Sequence, residues 1–471
     1  MKKGLKEILG RISITIFSNV ISLIVTSLII MIVPKFLSTE QYGFFQLYIF
    51  YTGYIGFANF GWPEGIMLRY GGCDYDALDK PGLKRQLGLF SQIAATLGAV
   101  ICILAILNSS VERQWIWIGV GLCIVVYLPR AFMQVLLHMT NRTHEYAKGI
   151  MLEKAVYLLG VVALLIAGVR DYYWLIVAEL LGRAVACIYI SVQCSDILRA
   201  QFISLRTQLS EIRENIRVGF KLMLANLVGL FMVGIVRQSI ELKWDVETFA
   251  KVSLTLSVSN VLMVFIRAIS VVLFPTLKSM KQEKLPAVYR TLRTGLMVVL
   301  FGMLIIYFPA KVILSAWLPK YAESLKYMAL LFPMCVFESK MSMLIEIYMK
   351  TLRMERQLLS INLISVALSF LLSWITVFVM NNLKLAVLSI LILVMIRCVL
   401  AELLVAPKLG LKVLRDILTE IALVCSFVFF SWEIGGVRGF VFYILVYAVY
   451  LLLKRGDVCA LFQRIQANGI K

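Results

Sequence analysis

The sequence predicts an all-α polytopic membrane protein. Hydrophobic residues make up 61% of the 471-residue chain and charged residues only 16%, which is far from the balance of a soluble globular domain. Apolar runs of about 20 residues, the length that crosses the hydrocarbon core as a helix, recur along the whole chain. The expected architecture is therefore a bundle of membrane helices.

Fourteen membrane spans follow from the apolar runs and from the charged residues, prolines and glycines that interrupt them. The first run follows the basic segment 1–11 and is too long for the apolar part of a cleaved signal peptide, so we expect a retained first helix. The predicted spans are 12–34, 44–66, 87–107, 115–137, 150–168, 173–192, 218–242, 250–275, 296–318, 325–349, 358–380, 385–406, 417–432 and 437–453.

Basic residues are distributed unequally between alternate loops. Apart from Arg69, one set of loops, with both termini, holds 28 Lys and Arg, whereas the other set holds 7, one in or beside each loop. Because Lys and Arg near span ends mark the cytoplasmic side, both termini are predicted to be cytoplasmic. The excess of 47 Lys and Arg over 27 Asp and Glu is then a topology signal. We expect no nucleic-acid partner, since the basic residues do not gather on one amphipathic face.

Two halves of the chain show a weak internal repeat. An ungapped offset of 207 pairs similar residues, namely Asn19 with Asn226, Leu23 with Leu230, Glu40 with Glu247 and Tyr42 with Phe249. Each half opens on the cytoplasmic side and contains six spans, as parallel repeats require. The pattern predicts two pseudo-symmetric six-helix lobes at 1–192 and 218–406. A cytoplasmic linker at 193–217 joins them, and a terminal helix pair with a cytoplasmic tail follows at 407–471.

The sequence predicts no metal, nucleotide or disulfide site. Its nine cysteines are scattered singly, without a Cys-x-x-Cys pair. It also lacks the Gly-Lys-[Ser/Thr] loop with which many ATPases bind phosphate. We expect no metal, no cofactor and no enzymatic activity.

Three segments resemble a known family. They are LSTEQYG at 37–43, NFGWPEGIMLRYGG at 59–72 and the segment 219–256 that begins GFKLMLAN. They are similar to the Wzx-type polysaccharide flippases of the multidrug/oligosaccharidyl-lipid/polysaccharide exporter (MOP) superfamily. The similarity is carried mainly by Tyr42-Gly43, Gly61, Arg69-Tyr70, Gly219 and Arg237. Two positions depart from the family pattern, because Val236 stands where an acidic residue is common and Ala250 where Gly is usual.

This resemblance implies a transport function. Undecaprenyl-pyrophosphate-linked oligosaccharide repeat units would move from the cytoplasmic to the outer leaflet of a bacterial or archaeal cytoplasmic membrane by alternating access. The implied partners are this lipid-linked substrate, membrane lipids, and the polymerase and glycosyltransferases of surface polysaccharide synthesis.

Arginines inside or at the ends of spans are the candidate contacts for pyrophosphate and sugar. A guanidinium group pairs phosphate oxygens through a fork, and an intramembrane charge is too costly to be incidental. The candidates are Arg69, Arg130, Arg183, Arg237, Arg267 and Arg397, of which Arg69, Arg237 and Arg267 are favoured.

Each of the other three arginines, and Arg69 itself, has a structural alternative. Arg69 and Arg130 lie near span ends, where their side chains can reach ordinary lipid phosphate. Arg183 stands four residues after Glu179, the spacing of an ion pair on one helix face. For Arg397 a packing role is equally open.

Four glutamates inside spans are candidates for coupling to a proton or sodium gradient. They are Glu179, Glu338, Glu346 and Glu402. A buried Glu can bind a proton or sodium, and the alternative for each is neutralisation of a neighbouring cation such as Lys340.

Two other functions fit this many spans. A cation-coupled drug or metabolite antiporter of the same superfamily would need acidic residues in its first lobe, and the span 12–34 has none. A membrane polymerase or ligase would need a large outer loop, whereas the predicted outer loops are short. The flippase is favoured, and the antiporter remains the main alternative.

Overall fold

A computed structural model describes the backbone of residues 2–201, 204–278 and 285–457, and their side chains except at 2–17, 205, 207, 225–227, 262 and 264–278. The described residues form helices and connecting turns, and no strand occurs among them. In these ranges eleven helices are long and apolar enough to cross a membrane, or twelve when a bent pair is counted as one span. The prediction of an all-α polytopic membrane protein is confirmed.

The helices follow one another with short connections. Segments of 3₁₀-helix lie at Ile55–Asn59, Tyr75–Ala77, Leu304–Ile306, Pro319–Tyr321 and Ser324–Tyr327, and π-helical segments at Met341–Ile345, Trp374–Val379 and Phe430–Ile434. The α-helices are α1 (Lys2–Phe36), α2 (Thr39–Thr52), α3 (Trp62–Tyr70), α4 (Lys80–Asn108), α5 (Val111–Met139), α6 (Thr143–Ile166), α7 (Tyr172–Gln193), α8 (Ser195–Arg199), α9 (Leu205–Lys243), α10 (Val246–Lys278), α11 (Leu285–Met303), α12 (Tyr307–Trp317), α13 (Met328–Leu331), α14 (Met334–Lys340), α15 (Glu346–Thr351), α16 (Glu355–Ser373), α17 (Leu383–Lys408), α18 (Leu414–Phe429) and α19 (Gly436–Leu453).

The predicted span 44–66 is broken into α2 and α3. The chain turns at Phe60 and Gly61, which have left-handed φ values of 53° and 74°. The Asn59 side chain stabilises this turn by accepting a 2.7 Å hydrogen bond from the Gly61 N–H. Pro63 then occupies the first turn of α3, where its missing N–H costs no helical hydrogen bond.

Residues 1–228 form one compact unit, here called unit 1. Its main helix pairs are α4 with α5, α6 with α7, α1 with α6, and α5 with α7. The first half of α9, which includes residues 205–217 of the expected linker, packs closely against α3. A Cβ atom at Gly219 would lie 1.9 Å from the carbonyl oxygen of Gly61, and one at Gly65 would lie 1.9 Å from that of Asn215. Only glycine permits this backbone approach.

Residues 229–471 form a second compact unit, unit 2. Its most deeply buried span is Ser324–Thr351, which packs against α10 and α17. The terminal pair α18 and α19 is held by aromatic contacts, including Phe427 against Tyr443 with ring centroids 5.0 Å apart. The Tyr443 hydroxyl also donates a 2.9 Å hydrogen bond to the carbonyl oxygen of Phe301 in α11. The terminal pair is therefore an integral part of unit 2.

The glycine contact between α3 and α9 gives a stability prediction. In Gly219→Ala the added methyl group must displace backbone, so we expect a loss of about 1–3 kcal/mol, as for other overpacked sites. Thermal unfolding in detergent would show a lower midpoint. Gly88→Ala is the matched control, because a Cβ at Gly88 meets nothing within 4 Å. Equal midpoints for the two variants would contradict the close contact.

Candidate functional site

In unit 1, Arg183 belongs to a salt bridge on α7. Its Nε donates to Glu179 Oε1 at 2.5 Å, one helical turn earlier, and Tyr48 of α2 donates its hydroxyl to the other carboxylate oxygen at 2.6 Å. The guanidinium carbon lies 5.4 Å from the ring centroid of Tyr127 in α5, within cation–π range. The same-face ion pair that the spacing allowed is therefore formed.

Arg130 forms a second cation–π contact with Tyr127. Its guanidinium carbon is 5.8 Å from the Tyr127 centroid, and its Nη1 lies 2.6 Å from Glu153 Oε2 of α6. Lys154 adds a third cation, 3.5 Å from the other oxygen of Glu153. Together with the Arg183–Glu179 pair, three cations thus accompany two carboxylates. We call this group the Tyr127 cluster, and its net charge favours an anion.

Arg69 lies at the end of α3 with 46% of its side chain exposed. Its Nη2 is 3.6 Å from Glu211 of α9, a carboxylate that also accepts hydrogen bonds from the Tyr70 hydroxyl at 2.7 Å and the Gln86 amide at 3.0 Å. Glu211 is shared among three donors, and its contact with Arg69 is the longest of the three. Much of the Arg69 guanidinium therefore stays accessible to an external anion.

In unit 2, Arg397 of α17 is surrounded by acceptors from two other spans. Its Nε donates to Asn362 at 2.9 Å, its Nη2 to Glu346 at 3.0 Å and its Nη1 to Glu338 at 3.5 Å. The Arg397 side chain is only 6% exposed, whereas those of Glu338 and Glu346 are 26% and 25% exposed. This Arg397 cluster therefore presents carboxylate oxygens, and not the guanidinium, at its accessible side.

Glu338 precedes the π-helical segment Met341–Ile345 in sequence, and Glu346 follows it. Both side chains nevertheless reach Arg397. Residues eight apart in a regular α-helix diverge by about 80° around the axis. The wider turn of the π segment reduces that divergence, and such segments are frequent at functional sites. Glu346 is additionally 3.6 Å from Lys350, one turn later, so Glu338 is the less neutralised of the two.

Arg237 of α9 contacts α10. Its Nη2 donates a 2.9 Å hydrogen bond to the Ser253 hydroxyl, and its guanidinium carbon lies 5.1 Å from the Phe249 ring centroid. The side chain of Arg267 lies outside the described residues, so its proposed role stays a prediction.

A buried cluster of four charges lies deeper in unit 2. Arg293 of α11 donates to Glu402 of α17 at 2.7 Å and lies 2.6 Å from Glu420 of α18. Lys340 of α14 pairs with both carboxylates, at 2.6 Å in the case of Glu420. All four side chains are at most 6% exposed. Two cations thus balance two anions, and this Arg293 cluster ties four helices together.

The Arg293 cluster was predicted only in part, since Lys340 was named as a cation that could neutralise Glu402, whereas Arg293 and Glu420 were not named. Arg293 counted as a loop cation, because the span was expected to begin at 296, whereas α11 begins at Leu285. Glu420 lies inside the predicted span 417–432 and was not singled out, although an ionisable residue within a span is itself a signal of a buried partner.

Comparison with known proteins identifies the class of fold. The structure is similar to the lipid II flippase MurJ in an inward closed conformation, with a TM-score of 0.70 and 12% identity over 96% of this chain and 100% of that chain. It is also similar to a MOP superfamily transporter from Pyrococcus furiosus, with a TM-score of 0.55 and 12% identity over 85% and 95%. An outward-facing MATE family multidrug transporter gives 0.54 and 13% identity over 88% and 96%.

The chain therefore has the fold of the MOP superfamily. No protein-family model matches the sequence, and no curated protein matches it. The expectation that the chain has no enzymatic activity stays a prediction. At 12–13% identity the likeness defines the fold alone, and the finer resemblance to Wzx-type flippases stays a prediction.

The Arg293 cluster gives a second stability prediction. In Glu402→Gln, Lys340 would keep Glu420 as its carboxylate partner, and Arg293 would keep Glu420 and the partly exposed Asp416. We expect a loss of about 3–5 kcal/mol, the usual effect of removing one partner of a buried charge pair. Unfolding by a denaturing detergent or by heat measures this loss of stability.

The matched control is Glu433→Gln, which breaks an exposed pair with Lys384 in which the side chains are 55% and 42% accessible. Exposed pairs contribute about 0–1 kcal/mol, so this variant should unfold like the parent. A Glu402→Gln protein of unchanged stability would show that the cluster is not held by its charges.

Proposed function

We propose that the chain is a MOP-type flippase that moves undecaprenyl-pyrophosphate-linked oligosaccharide from the cytoplasmic to the outer leaflet by alternating access. The observation that carries this proposal is the cation excess of the Tyr127 cluster among the membrane helices of unit 1. The similarity in fold to MurJ, itself a lipid II flippase, supports it. Transporter function, and not catalysis, is what this arrangement serves.

The substrate headgroup defines the chemistry that the arginines must provide. A pyrophosphate carries its charge on oxygens that accept paired hydrogen bonds from a guanidinium fork. Arg69 is half-exposed and would make the first contact. Arg183, whose side chain is 14% exposed, and Arg130 would then provide further donors. Arg237 and Arg267 remain proposed contacts in unit 2. The guanidinium of Arg397, also a predicted contact, is 6% exposed and donates to Asn362, Glu338 and Glu346, so in this proposal it orients those carboxylates.

The accessible carboxylates of unit 2 are the proposed site of ion coupling. Of the four predicted glutamates, Glu179 and Glu402 are 4% and 0% exposed and each is fully engaged by cations or hydroxyl groups. Glu338 and Glu346 are about one-quarter exposed, so a proton or sodium ion can reach them. We therefore favour Glu338, with Glu346 as its neighbour, as the coupling residue.

The proposed topology has fourteen spans, both termini in the cytoplasm, and lobes at 1–192 and 218–406 with a terminal pair at 407–471. The bent helix α9, the broken pair α2 and α3, and α10 would add three spans to the eleven that are long and apolar enough on their own. The proposed location is the cytoplasmic membrane of a bacterium or archaeon. Polymerase and glycosyltransferases of polysaccharide synthesis are the proposed partners.

A cation-coupled drug or metabolite antiporter is the second candidate. It is favoured by the partly exposed carboxylates of the Arg397 cluster, which would bind an organic cation as readily as a coupling ion. The fold is also similar to that of MATE transporters. The two functions differ in substrate charge, since one binds a diphosphate anion and the other an organic cation.

Replacement of Arg69 tests the flippase. In Arg69→Ala we expect transport of undecaprenyl-pyrophosphate-linked oligosaccharide in proteoliposomes to fall at least tenfold, because a charged hydrogen bond is lost. Accessibility of the sugar to an added glycosidase reports its transfer. Arg356→Ala removes an exposed arginine elsewhere and should transport normally. Unimpaired transport by Arg69→Ala would refute the role of Arg69, whereas a parent protein that moves no oligosaccharide but exports organic cations would favour the antiporter.

Replacement of Glu338 tests ion coupling separately. Glu338→Gln cannot release a proton or hold sodium, so transport should lose its dependence on the ion gradient that drives the parent. Rates are compared with and without each gradient in sealed vesicles, with Glu433→Gln as the control. Parent vesicles that ignore both gradients would refute coupling and leave the substrate assignment untouched.

A further inference from the structure

Unit 2 contains a basic cavity that the proposed transport function does not use. It has a volume of about 380 Å³ and lies among the start of α11, the connection 409–413, the start of α18 and the end of α19. The loops at this end belong to the set rich in Lys and Arg, which places the cavity on the predicted cytoplasmic side. Its size is that of a small-molecule site.

Some of the charges in the wall are already neutralised. Asp416 is 3.1 Å from Arg293 through one oxygen and 2.5 Å from Lys454 through the other. Lys454 also lies 3.2 Å from Asp457. These charged groups of the cavity wall neutralise one another and need no ligand.

Three other cations of the wall have no such partner. Arg290, Lys412 and Arg415 line the cavity, and none of them forms a salt bridge with another residue in the described part of the chain. All three are exposed. Basic residues that only set topology can lie anywhere on the cytoplasmic surface, whereas these converge on one cavity from α11, from the α17–α18 connection and from the start of α18. Such a convergence favours an anion with several oxygens.

The apolar part of the cavity wall indicates that the anion is the headgroup of a lipid. Leu453, at the end of α19, lines the cavity and is 68% exposed, as expected for a side chain that faces lipid. The cavity therefore adjoins the surface on which acyl chains lie. A headgroup phosphate can enter it while its acyl chains remain on the helix surface.

We infer that the basic cavity binds a phosphate-bearing anion through Arg290, Lys412 and Arg415, as the headgroup of an anionic phospholipid of the cytoplasmic leaflet. Bound there, the lipid bridges α11, α18 and α19. Through Asp416 the cavity is joined to Arg293, so occupancy stabilises the packing of unit 2. This inference does not depend on the transported substrate.

Lipid titration of the purified full-length chain tests the site. Binding of phosphatidylglycerol and of phosphatidylcholine is measured by native mass spectrometry in a neutral detergent, and inorganic phosphate is added in a third arm at matched ionic strength. We expect tight binding of phosphatidylglycerol only. In Lys412→Gln/Arg415→Gln that binding should weaken about thirtyfold, as expected for the loss of two cations near an anionic headgroup.

Arg353→Gln/Arg356→Gln is the matched control, since it removes two exposed arginines from another basic loop of unit 2, outside the cavity. It should bind phosphatidylglycerol like the parent. Both double variants change exposed residues, and unfolding without lipid should confirm that each is folded. Displacement of the lipid by inorganic phosphate would identify phosphate itself as the ligand and support the site. Equal loss of binding in both variants, or none in either, would overturn it.

Discussion

The high cost of an unpaired charge in a membrane determines how the polar residues of this protein are arranged. A guanidinium or carboxylate within the hydrocarbon region must find a partner or face water, because lipid offers neither. Arg293, Lys340, Glu402 and Glu420 satisfy this constraint completely, with two cations against two anions and almost no exposure. Such a cluster is a structural tie between helices. It has no capacity left for a substrate.

The other clusters satisfy the constraint incompletely, and their imbalance is what suggests function. The Tyr127 cluster holds one cation more than it has carboxylates, while the Arg397 cluster presents two partly exposed carboxylates. An anionic headgroup would complete the first, and a proton or small cation the second. The Tyr127 cluster and the Arg397 cluster therefore differ in the sign of the charge that they can accept, as the proposed coupling of an anionic substrate to a cation would require.

The sequence predicts the helices well. Lipid offers no hydrogen-bond partners, so a single span must form a helix to pair its own backbone N–H and C=O groups. Apolar length then finds most spans without knowledge of packing. Contacts within one helix were also within reach, and the Glu179–Arg183 pair follows from its spacing. The break between α2 and α3 had signals in Asn59, Gly61 and Pro63, but a span drawn by length alone passes over them.

Contacts between helices could not be predicted in the same way. Arg397 was expected to have either a substrate role or a packing role, with no partner named. Its partners are Glu338 and Glu346 from another span, and Glu402 pairs with Arg293. Pairing of this kind depends on which helix faces are adjacent and on the extra turn width of the π segment. Neither the adjacent helix faces nor the π segment can be identified from a single sequence.

The most direct test compares the binding of undecaprenyl pyrophosphate and undecaprenol to the purified parent protein. The two lipids share the same chain and differ only in the diphosphate, so the difference in affinity measures what the arginines contribute. Our account predicts that undecaprenyl pyrophosphate binds at least a hundredfold more tightly, as two charged hydrogen bonds would give. Equal affinities would show that the diphosphate is not recognised and would contradict the account.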